Sequence, residues 1–220
     1  MLDKAHVQGS ITANHEGILA SRLSYFLDLD GPVMAINTSC SSGLVAVHQA
    51  CTSLRVGECD MAIAGGVSLM LTEELYLSMA QAGMLSSDGK CYAFDQRANG
   101  LVPAEAVAAI VLKPLSKAKA DGDPIYAVIV GSGLNYDGKT NGITAPGGAS
   151  QTKLVQSVYS QFQINPEEIE HIVTHGTGTK LGDPVEVDAL IGAYKTKKSA
   201  FCALTSTKSN LGHALAASGI

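Results

Sequence analysis

The sequence has little charge and no block of one sign. Charged residues make up 16% of the 220 positions and the net charge is -5. The only lysine cluster, Lys195, Lys197 and Lys198, reads as a solvated helix end, so nucleic acid is not an expected partner. No C-x-x-C pair occurs among the five scattered cysteines, which argues against a disulfide framework and against a zinc site. Reduced thiols in the cytoplasm fit that pattern. The first 17 residues carry polar and charged groups where a signal peptide needs an apolar core. The longest apolar stretch, Met61 to Leu71, is too short to cross a membrane and contains Gly65-Gly66.

What is present is apolar and rich in turns. Apolar residues reach 46%, and 23 glycines point to tight turns and close backbone approaches. The periodicity predicts a helix from His15 to Leu29, a buried strand from Pro32 to Ile36, and a helix from Ser41 to Val56 ended by Gly57. It then predicts a strand at Met61 to Leu71 broken by its glycine pair, a helix at Glu73 to Gln81, a polar turn region at Ser86 to Asn99, and a strand at Val107 to Leu112. Ser116 to Asp123 reads as a connecting segment, dividing the chain into residues 1–123 and 124–220. The pattern restarts with a strand at Tyr126 to Val130, a glycine-rich loop from Gly131 to Gly148, and a helix at Gln151 to Phe162. A strand at Ile172 to Thr174 leads into Gly176-Thr177-Gly178-Thr179. Asp183 and Glu186 are placed to form a capping box on the next helix, which runs to about Tyr194. A last strand, Phe201 to Leu204, precedes a turn at Thr207 to Gly212. Alternating strands and helices indicate an α/β fold with a largely buried sheet.

Three positions carry chemistry. Cys40, in Asn37-Thr38-Ser39-Cys40-Ser41-Ser42, sits where a strand is predicted to turn into a helix. The unsatisfied N–H groups of a helix start favour thiolate. His48 is eight residues on, roughly 12 Å away along one helix, too far to serve Cys40. His6, His15 and His171 read as packed or surface residues. His175 closes a predicted strand and opens a glycine turn carrying Thr177 and Thr179. His213 ends a second glycine turn, Lys208-Ser209-Asn210-Leu211-Gly212-His213. Each alone reads equally as a structural turn residue. Together, one cysteine and two histidines fall at the C-terminal ends of predicted strands, where open α/β sheets form ligand sites.

These three motifs, in this order, resemble the β-ketoacyl synthases of the thiolase superfamily. Residues 94–107 are most similar to the ketosynthase domains of modular type I polyketide synthases. The resemblance covers essentially the whole chain and implies a thiolase-like layered α/β/α/β/α fold. It implies an acyltransferase that joins an acyl thioester to a malonyl-type extender by decarboxylative Claisen condensation, in polyketide or fatty acid synthesis. Cys40 would accept the acyl group, His175 and His213 would stabilise the enolate, and Lys208 would supply positive charge and hold His213. Thr177 and Thr179 would bind the pantetheine arm, and the backbone N–H of Cys40 would form part of an oxyanion hole. No cofactor or metal is implied: the substrates ride on the phosphopantetheine of an acyl-carrier protein. Homodimerisation and neighbouring synthase domains are implied as well.

Asn37 stands where the family often has aspartate, Val173 where an acidic residue is common, and Pro103-Ala104-Glu105-Ala106 where a more glycine-rich segment is usual. The family also begins before Met1 and continues past Ile220, so the fold is expected to be incomplete at both ends. An isolated chain lacking those strands is expected to fold poorly and condense nothing. The other readings are a non-elongating acyl-transferring member, an inert fragment or pairing subunit, and a plain cysteine hydrolase.

Overall fold

The computed structural model describes residues 15–194 and 201–220; His6 and the Lys195, Lys197 and Lys198 cluster lie outside them. The order is α1 (Ile18–Leu27), α2 (Ser42–Val56), β1 (Ala62–Ser68), α3 (Glu74–Gln81), β2 (Ala106–Leu112), α4 (Leu115–Asp121), α5 (Gly148–Gln161), β3 (His171–Val173), α6 (Gly182–Tyr194), β4 (Ala203–Thr205) and α7 (Lys208–Leu211). Short 3-10 turns lie at Ser39–Ser41, Pro166–Glu168 and Leu215–Ala217.

Two small sheets organise these elements. β1 and β2 pair antiparallel, with Ala62 opposite Leu112 and Ser68 opposite Ala106. β3 and β4 pair in parallel, His171 opposite Ala203. The alanine- and valine-rich face of α2 packs on β1, burying Val47, Cys51 and Ala64 with Ile110, Leu112 and Ile220 beside them. Gly57 ends α2 in the left-handed region at φ 78°. α5 and α6 pack together through polar bonds: Thr152 Oγ1 donates to the Ala189 carbonyl at 3.0 Å and Gln156 Nε2 to the Gly192 carbonyl at 3.1 Å. The two Tyr rings at their ends, Tyr159 and Tyr194, meet edge to face at 5.6 Å.

Several expectations need correction. Residues 32–36 and 126–130 join no ladder among the described residues, and all but Ile36 of the first segment and all of the second are exposed. A strand needs a neighbour for its N–H and C=O groups, and an apolar run supplies none by itself. The sheets are likewise not largely buried: β2 alternates half-buried and exposed positions, leaving Val107 and Val111 open. The chain exposes 14999 Å², against about 9,500 Å² for a compact monomer of its mass. Ser116 to Asp123, expected as a connecting segment, falls largely in helix α4, which leaves its connecting role open; the helix's close is tied by Lys113 ion-pairing with Asp121 and Asp123.

The Gly65-Gly66 pair does not break β1; the strand runs through it. Its purpose is a notch. A Cβ on Gly66 would lie 2.8 Å from the Ala216 carbonyl oxygen and from Ala217 Cα, and one on Gly43 would lie 3.0 Å from the same oxygen. The C-terminal turn at Leu215–Ala217 is thus seated directly on α2 and β1, where only glycine leaves room. Gly66→Ala is expected to cost about 1 to 3 kcal/mol through this overlap with backbone, read as a lowered denaturant midpoint; an unchanged midpoint would disprove the seating.

Candidate active site

The loop before α2 is built by its own small polar side chains. Ser39 N donates to Asn37 Oδ1 at 3.2 Å, Ser41 Oγ to the Thr38 carbonyl at 2.9 Å, Ser42 Oγ to the Ser39 carbonyl at 2.7 Å, and Thr38 N to Ser42 Oγ at 2.9 Å. These bonds hold Ser39 at φ 58°, a conformation few non-glycine residues adopt. Such strain persists where the surroundings over-determine it. The kink presents half-buried Cys40 on a tight turn directly ahead of α2.

Across from it, the second half of the chain supplies the histidines. His213 N donates to the Val102 carbonyl at 2.7 Å, and Ala104 N to the His213 carbonyl at 2.9 Å. Both backbone groups of His213 are therefore fixed to the segment after the polar turn region. Its ring, on a residue only 2% exposed, reaches Cys40 Sγ through Nε2 at 3.0 Å and Ser218 Oγ through Nδ1 at 2.9 Å. The His175 ring meets it edge to face, with centroids 5.3 Å apart. Lys208, 7% exposed, stands at the start of α7. The structure thus brings Cys40, His175, His213 and Lys208 into one cluster. His48 is elsewhere, with Nδ1 2.9 Å from Ser132 Oγ.

The predicted capping box does not form. Asp183 Oδ1 accepts from Gly178 N and Thr179 N at 3.2 and 3.3 Å, and its Oδ2 accepts from Phe94 N at 2.8 Å. Glu186 accepts from His175 N at 2.6 Å and Gly176 N at 2.8 Å. Two carboxylates read as serving their own helix instead hold the turn before it. These are the functional residues that sequence reasoning missed. Their signal was available: a glycine turn with free N–H groups, followed within ten residues by two acids. The hydroxyls of Thr177 and Thr179 lie 3.2 Å apart, and Thr179 Oγ1 also accepts from Gly182 N. A cavity of 490 Å³ opens beside the cluster, with Lys90, Cys91, Tyr92, Val102 and Lys208 in its walls; Cys40 and His175 do not line it.

Burial dominates the electrostatics. It pushes the Cys40 thiol above its ordinary value, with Lys208 and the residue's own backbone N–H opposing. The helix start therefore does not make Cys40 a standing thiolate. Burial lowers the Lys208 ammonium, against the pull of Glu186, Cys91, Cys40 and Asp183. It also lowers both imidazoles: His213 to about 4, helped by His175 and Lys208, and His175 with Lys208 adding and Glu186 and Asp183 opposing. Both rings are neutral at pH 7, and each offers one N–H and one lone pair.

With this geometry in hand, comparison with known proteins decides the family. Residues 2–118 match the family described as "Beta-ketoacyl synthase, N-terminal domain" and residues 126–220 match "Beta-ketoacyl synthase, C-terminal domain". The chain belongs to the β-ketoacyl synthase family. It is 55% identical to polyketide synthase ThaG of Burkholderia thailandensis, over 96% of this chain and 4% of that one. It is 52% identical to polyketide synthase PksM of Bacillus subtilis, over 98% of this chain and 5% of that one. Among solved structures, the ketosynthase from module 6 of the bacillaene synthase of Bacillus subtilis 168 superposes with a TM-score of 0.93 at 53% identity, covering 96% of this chain and 38% of that one. The oxazolomycin ketosynthase domain OzmH KS7 of Streptomyces albus JA3453 gives 0.90 at 39% identity, covering 93% and 36%. The fold is thus thiolase-like, and the chain spans less than two fifths of those ketosynthases. Among the described residues no helix is long and apolar enough to cross a membrane.

Two outcomes follow from the site. Because burial raises the Cys40 thiol above its ordinary value, its alkylation by iodoacetamide, followed on the Cys40 peptide by mass spectrometry, should still accelerate as pH rises beyond about 8.5, where an ordinary thiol is half ionised; a plateau below pH 8 would contradict this. Asp183→Asn replaces an acceptor of three backbone N–H groups by an amide that turns a donor toward some of them, and should cost about 2 to 4 kcal/mol. Chemical denaturation checks that value.

Proposed function

We propose that the chain is the catalytic centre of a polyketide ketosynthase, formed by parts of two half-folds, residues 1–123 and 124–220. It would act as an acyltransferase of the 3-oxoacyl-carrier-protein synthase type. The observation that carries this reading is the 3.0 Å approach of His213 Nε2 to Cys40 Sγ with the His175 ring packed beside it. A hydrolase needs a base and a bound water, whereas two neutral imidazoles around one thiol suit an acyl acceptor facing an enolate.

In the first half-reaction Cys40 Sγ attacks the thioester carbonyl of an acyl chain on the pantetheine of an acyl-carrier protein. The thiol proton passes to His213 Nε2, the oxyanion sits against the Cys40 N–H, and the pantetheine thiolate leaves with that proton. In the second, His175 and His213 donate N–H bonds to the thioester carbonyl of a malonyl-type extender. Carbon dioxide leaves, its bonding electrons become the enolate, and the enolate carbon attacks the Cys40 thioester. A carbon–carbon bond forms, the carbon–sulfur bond breaks, and the Cys40 thiolate recovers a proton. Lys208 contributes positive charge near the forming anion. Thr177 and Thr179 would take the pantetheine arm, after their hydroxyls turn from each other. No cofactor is required, and the expected partners are the carrier protein, further synthase domains and a second copy, in the cytoplasm.

The exposed surface favours a second reading, in which the 220 residues alone are inert because apolar rows such as Tyr126 and Val130 stand uncovered. The two separate experimentally. An acyl-thioester probe should label Cys40 and leave Cys40→Ala unlabelled. Supplying acyl-carrier and malonyl-carrier substrates should then give β-ketoacyl product, lost by at least 100-fold in His213→Ala if that ring stabilises the transition state. Labelling without condensation would favour a non-elongating or incomplete site; no labelling at all would overturn the proposed role of Cys40.

A further inference from the structure

We infer that Ser218 is a positioning residue whose hydroxyl sets, and reverses, the tautomer of His213. The inference rests on the condensation reading for its purpose, and on the structure for its geometry. The two ring nitrogens of His213 are committed to different partners: Nε2 to Cys40 Sγ at 3.0 Å and Nδ1 to Ser218 Oγ at 2.9 Å. In a neutral ring one nitrogen carries the proton and the other accepts, so the partner of Nδ1 decides what Nε2 can do.

The proposed reaction asks His213 for opposite services. To receive the Cys40 proton, Nε2 must present its lone pair, so Nδ1 must carry the hydrogen and Ser218 Oγ must accept it. To donate to the extender carbonyl, Nε2 must carry the hydrogen, so Nδ1 must accept, and Ser218 O–H must donate. A carboxylate or backbone carbonyl at Nδ1 would only accept, and a backbone N–H would only donate. A hydroxyl does both by rotating about its C–O bond. Rotation of the hydroxyl alone moves no ring proton, and the exchange with Cys40 and the departing pantetheine thiol takes place at Nε2 and returns the ring with hydrogen on Nδ1. To reverse the tautomer, Nδ1–H passes its hydrogen to Ser218 Oγ, half-buried Ser218 releases its own hydroxyl hydrogen to water, and Nε2 takes a proton from water, so that one proton enters the ring and one leaves.

Ser218 is also held where this requires. It follows the 3-10 turn Leu215–Ala217, its own N–H donates to the Leu215 carbonyl at 2.9 Å, and that turn rests in the Gly43 and Gly66 notches. Leu215 takes φ 44° and Gly219 φ 89°, so the chain bends sharply on both sides of it. The other groups that interact electrostatically with His213 are His175 and Lys208. Neither is hydrogen-bonded to Nδ1, which leaves Ser218 as its partner among the described residues.

The test uses the 220-residue chain with Ser218→Ala, Ser218→Thr and Ser218→Cys. Long-range proton–nitrogen NMR of the His213 ring should show one tautomer, hydrogen on Nδ1, with the Cys40 thiol free, and the other after Cys40 is alkylated. In Ser218→Ala both tautomers should be present in either state, and alkylation of Cys40 at pH 7.5 should slow about fivefold, the worth of one net hydrogen bond. Ser218→Thr should restore the rate to within about twofold. Ser218→Cys preserves volume with a weak partner and should behave like Ser218→Ala, which covers the case in which the alanine variant misfolds. Identical tautomers and alkylation rates in the original chain and in both the Ala and Cys variants would overturn the inference. Neither readout needs condensation. Tautomer exchange without β-ketoacyl product would therefore support Ser218 and count against the functional reading alone.

Discussion

The backbone of His213 is the point on which the rest depends. Its N–H and carbonyl are both taken by residues 102 and 104. The base of the imidazole is thereby set relative to the first half of the chain by backbone bonds alone. An imidazole on a free turn would lose that position to rotamer and backbone entropy. The neighbouring 3-10 turn adds a second constraint by pressing its backbone into the glycine notches of α2 and β1. Cys40 and His213, 173 residues apart, meet because two independent backbone contacts hold their elements together.

Charge inside the cluster is arranged so that most of it is spent on backbone. Asp183 and Glu186 occupy N–H groups of the turn after β3. Their field also reaches Lys208 and His175. Burial outweighs that field: it lowers both groups and keeps the imidazoles uncharged. A charged imidazole beside Lys208 would repel it and would have no lone pair for a thiol proton. Neutrality at pH 7 is thus the state in which either nitrogen is useful, and it follows from desolvation more than from any single partner.

The surface is organised differently from the site. Polar and small residues close tightly around Cys40 and His213, while extended apolar segments at 32–36 and 126–130 stay open. The superposition on ketosynthases more than twice as long gives these rows their context. The local geometry of the turns is carried by short-range hydrogen bonds and glycine, so it does not require a complete sheet. Cover for the apolar rows does.

Much of this was legible in one dimension. The serines and Asn37 around Cys40 hydrogen-bond within five residues, and Gly57 stops a helix by its own φ, so local chemistry determined the nucleophile turn and the bounds of α2. The motif order around Cys40, His175 and His213 determined the family. Properties that depend on a distant partner were not legible. A strand exists only with a neighbour, so Pro32 to Ile36 and Tyr126 to Val130 read as strands and pair with nothing described. Asp183 and Glu186 fit a capping box equally well, until the approach of Phe94 and the glycine turn gave them stronger donors. Cys40 read as a helix-activated thiolate, but burial, which no local pattern encodes, raised its pKa instead. Gly65-Gly66 looked like a break because its reason, the backbone of Ala216 and Ala217, lies 150 residues away. Tertiary structure alone decided these, since desolvation and backbone contact are properties of what the fold places next to a residue.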